Sequence, residues 1–107
     1  MGPEETTGAH KTSKPAELVC SNSLGSFDET VASGLLKKEL SVLGSFLIKN
    51  AFENQVPAGN ALAVDRELFS KYITEKIRSD KNIEISIGEV TELPESGAVV
   101  VATGPLT

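Results

Sequence analysis

Apolar residues recur at spacings of three and four positions through the first half of the chain. These positions are Leu36, Leu40, Leu43, Leu47 and Ala51. Such spacing places side chains on one face of an α-helix, and Ser26 and Asp28 precede it as good N-cap residues. Pro57 disfavours helical geometry at the residue before it. The pattern therefore predicts one amphipathic helix that starts close to Ser26 and ends before residues 54–59.

A second helical pattern follows Asp65, which is itself a good N-cap residue. Its apolar positions are Leu68, Phe69, Tyr72, Ile73 and Ile77. The polar run at residues 79–82 is typical of a helix end. We therefore expect a second amphipathic helix between Asp65 and this polar run.

Beyond this run the period of the pattern changes to two. Ile83, Ile85 and Ile87 alternate with polar residues, which predicts a half-buried strand that continues through Val90. The continuous apolar run at residues 98–102 predicts a parallel strand buried on both faces and followed by a ligand-facing loop. The predicted fold class is therefore α/β, with two helices followed by two or more strands.

Two parts of the chain differ in composition. Residues 1–15 carry Gly, Pro, Thr, Ser and charge without apolar periodicity. Together with the cysteine motif that follows, they are expected to form an irregular segment over residues 1–25. Residues 26–107 carry the helical and strand patterns. This second part is predicted to be an incomplete α/β domain.

Composition and charge limit the classes of function. A chain of 107 residues forms one domain at most. Its net charge of -5 argues against nucleic-acid binding by this chain alone, because phosphate contacts need a basic surface. No apolar stretch approaches the roughly 20 residues of a membrane helix, and no signal-peptide pattern is present. We therefore expect a cytoplasmic protein without membrane contact.

The single cysteine, Cys20, lies in a run of small polar residues that packing alone does not require. One cysteine makes no internal disulfide and no zinc cluster, which fits a reducing compartment. A thiolate adds readily to C6 of a uracil and activates C5 toward a one-carbon electrophile, so a pyrimidine methylase has a use for it. The alternative is a buried structural cysteine, the commoner state of a free thiol.

Three stretches together resemble the folate- and FAD-dependent tRNA (uracil-5-)-methyltransferases, a family related to the glucose-inhibited-division flavoproteins. They are ELVCSNSL at residues 17–24, VPAGNALAVDR at residues 56–66 and ATGPLT at residues 102–107. The resemblance covers nearly the whole chain. The glycine-rich GxGxxG turn of the family does not occur in this sequence, so we expect an internal piece of a flavoprotein, with an incomplete FAD-binding Rossmann-like domain.

The resemblance implies an activity and its cofactors. The full family forms 5-methyluridine in the T loop of tRNA from 5,10-methylenetetrahydrofolate, with FAD as redox cofactor and NAD(P)H as electron source. The implied partners are tRNA and the remainder of the parent flavoprotein, and the isolated chain is expected to be inactive. The alternative is a non-catalytic fragment, or a module that binds flavin or folate without turnover.

The resemblance also implies roles for single residues. Cys20 matches a cysteine that takes part in covalent chemistry with uridine or with a flavin-bound methylene. The residues implied in substrate binding are Ser21, Asn22, Ser23 and Arg66, and those implied in cofactor binding are Val90, Ala102, Thr103 and Gly104. Each has a plainer interpretation: the serines and Asn22 as a turn, Arg66 as part of a helix cap, Val90 as a strand residue in the core, and Thr103-Gly104 as an ordinary turn. The sequence departs from the family pattern at Gly25, where an arginine is usual.

Overall fold

The computed structural model of the protein describes residues 11–102. Within this range three helices and three short strands form in a mixed order. They are β1 (Ser23–Ser26), α1 (Ala32–Val42), α2 (Phe46–Glu53), β2 (Gln55–Val56), β3 (Ala61–Val64) and α3 (Arg66–Ser79). The predicted α/β class is confirmed, but the order of elements differs from two helices followed by strands.

The three strands form one antiparallel sheet with β3 in the centre. On one side β1 pairs with β3 through Ser23 opposite Ala63, with an irregularity before Ser26. On the other side β2 pairs with β3 through Val56, also opposite Ala63. Because β3 has a neighbour on both edges, its backbone groups have partners and its apolar side chains can be buried.

The core lies where β3 meets α2 and α3. Its buried apolar residues are Ala51, Leu62, Val64, Phe69 and Ile73. Asn50 is also fully buried in this region, and its Nδ2 donates to the Phe69 carbonyl at 3.0 Å. Its Oδ1 accepts from Asn54 Nδ2 at 2.6 Å. A buried amide is tolerated here because both of its polar atoms have partners.

The single helix predicted for the first half of the chain is instead two helices. Gly44 adopts a φ of 76°, a left-handed conformation that ends α1. Ser45 then caps α2 by accepting a hydrogen bond from the Ile48 amide. The predicted caps Ser26 and Asp28 do not cap α1, which begins after Val31 without a side-chain cap.

The apolar stripe predicted for this helix is also largely exposed. Leu36 is 56% exposed, Leu43 81% and Leu47 43%, whereas Ala51 is fully buried. The buried residues of α1 are instead Gly34 and Lys37. Periodicity shows that one face is apolar, but whether that face is covered depends on which elements pack beside it.

The second predicted helix is confirmed as α3. The Asp65 carboxylate accepts hydrogen bonds from the Glu67 and Leu68 amides, both at 3.0 Å. Phe69 and Ile73 are buried, as their spacing predicted. The helix ends at Ser79, inside the polar run. The Asp65 cap and the apolar face of Phe69 and Ile73 indicate the same helix.

Both strands predicted after α3 are wrong for the residues that the structure describes. Residues 81–102 contain neither helix nor strand and are exposed throughout. Ile85 is 45% exposed and Val100 is 89% exposed. Alternation makes a segment suited to a sheet, but a strand forms only where a second strand pairs with its backbone.

Candidate active site

Cys20 lies in the irregular segment that leads into β1, and it is exposed. Its neighbour Leu18 is partly buried and packs against the core cluster. The structural alternative for Cys20 required an inaccessible thiol among aliphatic side chains. The exposed position contradicts that alternative and leaves the thiol open to a reactant.

The two serines after Cys20 are exposed and make local hydrogen bonds. Ser21 Oγ accepts from the Ser23 amide at 3.3 Å, and Ser23 Oγ accepts from the Gly25 amide at 3.1 Å. These are the turn contacts of the plainer interpretation. In both cases the hydroxyl is the acceptor, so its own hydrogen stays available for donation to another molecule.

Asn22 joins the cysteine segment to the central strand. Its Nδ2 donates to the Val64 carbonyl at 3.2 Å, and its backbone carbonyl accepts from the Val64 amide at 2.8 Å. Two bonds to one buried strand residue fix Asn22 relative to the sheet.

Arg66 lies at the first position of α3 and contacts the same segment. Its Nη1 donates to the Leu18 carbonyl at 3.2 Å. One turn later, Ser70 Oγ donates to the Pro15 carbonyl at 2.8 Å, and Ser70 is buried. The structure thus brings Arg66 together with the residues around Cys20. Sequence reasoning missed Ser70. The one available signal was its spacing of four residues from Arg66, which places both on the same face of the helix.

The residues implied in cofactor binding lie elsewhere. Val90 is 78% exposed and Ala102 is exposed, and neither lies in a strand. Thr103 and Gly104 lie outside the described residues. A dinucleotide is held where main chain at the ends of paired parallel strands closely approaches it. Residues 81–102 form no such edge, so the described residues do not fit FAD.

Sequence reasoning also missed a cleft between α1 and the Phe27 and Phe52 rings, which meet edge-to-face with centroids 6.3 Å apart. Its volume is about 330 Å³. Lys37 lines it and is 7% exposed, and its Nζ donates to Ser33 Oγ at 2.7 Å and to the Ser33 carbonyl. The available signal was the spacing of four between Ser33 and Lys37 on one helix.

Within residues 11–102, no three or more His, Cys, Asp or Glu side chains lie close enough together to hold a metal ion. No helix in the same range has the length and apolar character that crossing a membrane requires.

Comparison with known proteins defines the class. The sequence model of the family described as glucose inhibited division protein A matches residues 2–107. The chain therefore belongs to this family, and its three helices and small three-stranded sheet fit an α/β fragment of the family's fold.

Individual relatives are more specific. The chain is 56% identical over 107 residues to a protein of Aquifex aeolicus (strain VF5) named methylenetetrahydrofolate–tRNA-(uracil-5-)-methyltransferase TrmFO. The matched region is 100% of this chain and 24% of that relative. Proteins of the same name from Lactobacillus helveticus (strain DPC 4571) and Myxococcus xanthus (strain DK1622) are 50% and 53% identical. Both matches cover 100% of this chain. They cover 26% of the Lactobacillus protein and 23% of the Myxococcus protein. The chain spans about a quarter of the length of the curated relatives it matches. The resemblance seen in the motifs is confirmed.

Proposed function

We propose that this chain is part of a flavin-dependent methyltransferase that forms 5-methyluridine in the T loop of tRNA from 5,10-methylenetetrahydrofolate. The relatives at 50–56% identity, which carry that enzyme's name, support the proposal. The proposed partners are tRNA and the remainder of the parent protein, the proposed redox cofactors are FAD and NAD(P)H, and the proposed location is the cytoplasm. The observation that carries the catalytic part is the exposed thiol of Cys20.

The proposed role of Cys20 is covalent catalysis at uridine. Its thiolate forms an S–C6 bond, and the electrons of the C5=C6 double bond move toward C5 and the O4 enolate. C5 then bonds to the one-carbon electrophile. Loss of the C5 proton and cleavage of the S–C6 bond restore the double bond and release the thiolate. The C5-bound CH2 unit becomes methyl only if its carrier amine departs and a hydride equivalent is added, which the reduced flavin of the whole enzyme would supply. An exposed thiol suits this step, because the nucleophile must reach a base presented by RNA.

The residues after Cys20 are proposed to bind the uracil ring. The hydroxyl hydrogens of Ser21 and Ser23 are free to donate to uracil carbonyl oxygens. Asn22 uses Nδ2 on Val64, which leaves Oδ1 as an acceptor for the uracil N3–H. Arg66 is a weaker candidate for direct substrate contact, because its Nη1 already donates to Leu18.

A cofactor role for Val90, Ala102, Thr103 and Gly104 depends on the remainder of the parent protein. Such a role requires residues 98–102 to pair into a larger sheet, whose strand end would then approach FAD. The acidic net charge of -5 likewise requires that other parts of the protein hold the tRNA.

The test of the proposal is Cys20→Ala in the full-length enzyme, with Ser96→Ala as the exposed control. We expect the cysteine variant to lose methyl transfer by orders of magnitude while it folds normally, because removing a nucleophile removes the step itself. The control should remain active. A cysteine variant with normal activity would refute the assignment.

A trapping experiment identifies the atom that Cys20 attacks. Transfer RNA containing 5-fluorouridine blocks loss of the C5 substituent and should hold the enzyme in a covalent complex. Cys20→Ala should abolish that complex. If the complex persists while methyl transfer is lost, Cys20 acts on the one-carbon unit, and another residue attacks C6.

The alternative function is a non-catalytic fragment or a flavin- or folate-binding module. The unpaired, exposed residues 81–102 favour it for the chain in isolation. We therefore expect the isolated chain to be inactive in methyl transfer and to purify without flavin. A stoichiometric flavin absorbance band in the purified chain would contradict this expectation.

A further inference from the structure

The segment that carries Cys20 is tied to the folded body on both sides of the cysteine. Two residues before it, the Leu18 carbonyl accepts from Arg66 Nη1 at 3.2 Å. Two residues after it, Asn22 donates from Nδ2 to the Val64 carbonyl and accepts at its own carbonyl from the Val64 amide. Between these anchors the exposed Cys20 belongs to no helix or strand.

The anchor on α3 is a built contact and not a chance surface encounter. Arg66 and Ser70 are four residues apart, so they lie on one face of the helix. Both side chains donate to main-chain carbonyls of the cysteine segment, across 48 and 55 residues of sequence. The Asp65 cap fixes the start of the helix and thus the origin of the Arg66 side chain. The side of the segment that precedes Cys20 is therefore held by α3.

We propose that Arg66, supported by Ser70, is a positioning residue that sets the location of the Cys20 thiol. This inference rests on the proposed function for its catalytic consequence. Without the guanidinium, Leu18 would keep its apolar contact with the core but lose the directional bond at its carbonyl. The loop between Leu18 and Asn22 would then sample more positions, and the thiol would reach the reactive geometry less often.

The first test measures the thiol directly and does not depend on catalysis. Cys20 is the only cysteine of the chain, so the rate of reaction with a disulfide reagent such as DTNB reports on Cys20 alone. We expect Arg66→Gln to change the rate by about threefold or more, since thiol reactivity follows the exposure and surroundings of the sulfur. Arg66→Lys should restore part of the wild-type behaviour, because an ammonium can still donate to Leu18. Arg78→Gln, in the exposed last turn of α3, is the matched control.

The second test measures methyl transfer in the full-length enzyme with the same variants. Positioning predicts a fall in kcat of about 10- to 100-fold for Arg66→Gln with little change in KM for tRNA, because misplacement of a reacting group by about an ångström costs this much. Direct phosphate binding by Arg66 predicts the opposite: a raised KM, and a salt slope reduced by about 1 with kcat unchanged. That outcome would overturn the proposal, as would a wild-type thiol rate in Arg66→Gln.

A smaller substitution tests the same anchor in case Arg66→Gln fails to fold. Ser70→Ala removes one hydroxyl and should change the thiol rate in the same direction as Arg66→Gln, whereas Ser79→Ala removes a hydroxyl that bonds only within its own helix. Equal thiol rates in these two serine variants would count against the anchor. If wild-type full-length protein shows no methyl transfer, the proposed function fails, but the thiol rates still decide the positioning role.

Discussion

Two short apolar runs in this chain have similar composition and different fates. Residues 61–64, Ala-Leu-Ala-Val, form β3, in which Leu62 is fully buried and Val64 is 1% exposed. Residues 98–102, Ala-Val-Val-Val-Ala, form no strand, and Val100 is 89% exposed. The difference lies in the neighbours: β3 has strands on both edges and helices beside it, whereas the second run has no strand partner among residues 11–102. Whether an apolar segment is buried therefore depends on the elements beside it as well as on its own composition.

The largest expected effect compares one residue from each run. Leu62→Ala should lower the free energy of unfolding by about 3 kcal/mol, because it removes buried methyl groups and leaves a cavity. Val100→Ala should change it by less than about 0.5 kcal/mol, since the side chain is exposed. Urea denaturation followed by circular dichroism measures both. An equal loss in the two variants would mean that residues 98–102 are part of the core.

The second expected effect compares a buried amide in the body of the fold with an exposed one in the segment that follows α3. Asn50→Ala should cost about 2 kcal/mol, because the Asn54 amide and the Phe69 carbonyl each lose a buried partner. Asn82→Ala should cost less than about 0.5 kcal/mol, as expected for an exposed side chain. The same denaturation curves apply. If Asn50→Ala is as stable as the wild type, the hydrogen bond from Asn50 in α2 to Phe69 in α3 makes no measurable contribution to the free energy of unfolding.

The smallest expected effect concerns pH. The Thr30 hydroxyl, and after it the Thr30 amide, donate to the Asp28 carboxylate and hold its pKa below the ordinary value of 3.8. A lowered pKa in the folded state means that the stabilisation is present above the ordinary value and is lost as the pH falls through the lowered pKa. Asp28→Asn should remove this dependence.

The measurement for Asp28 is the stability difference between wild type and variant from about pH 6 down to about pH 2, a range that spans the titration of an aspartate. We expect the difference to shrink toward the acidic end. Asp80→Asn, which alters a comparable local turn after α3, is the control. A difference that stays constant over the whole range would show that the Thr30 contacts have no effect on the titration.

The parts of the fold that could be predicted are those with local causes. The Asp65 cap and the spacing of Phe69 and Ile73 act within one helix, and α3 formed as expected. The end of α2 at Glu53 also follows from the nearby Asn54 and Pro57. The break at Gly44 had a local signal as well, since a glycine before a serine suits a helix end and a new cap. The apolar periodicity across it concealed that signal.

The site shows the same division. The motif and its polar neighbours identified Cys20, Ser21, Asn22 and Ser23 as candidates from the sequence. Their exposure and their anchors did not follow from it, because the contact from Arg66 to Leu18 spans 48 residues and the contact from Asn22 to Val64 spans 42. Pairings at such distances depend on how the sheet and α3 come together.

By itself, the sequence determined the family, the α/β class, the helix that Asp65 starts and the residue types available for chemistry. These follow from motifs and from interactions between residues a few positions apart. Only the tertiary structure decided which apolar runs are buried, that β1 and β2 flank β3, and that α3 holds the cysteine segment. The physical reason is that a strand or an anchored loop needs a partner from a distant part of the chain, and the local pattern of apolar and polar residues does not specify that partner.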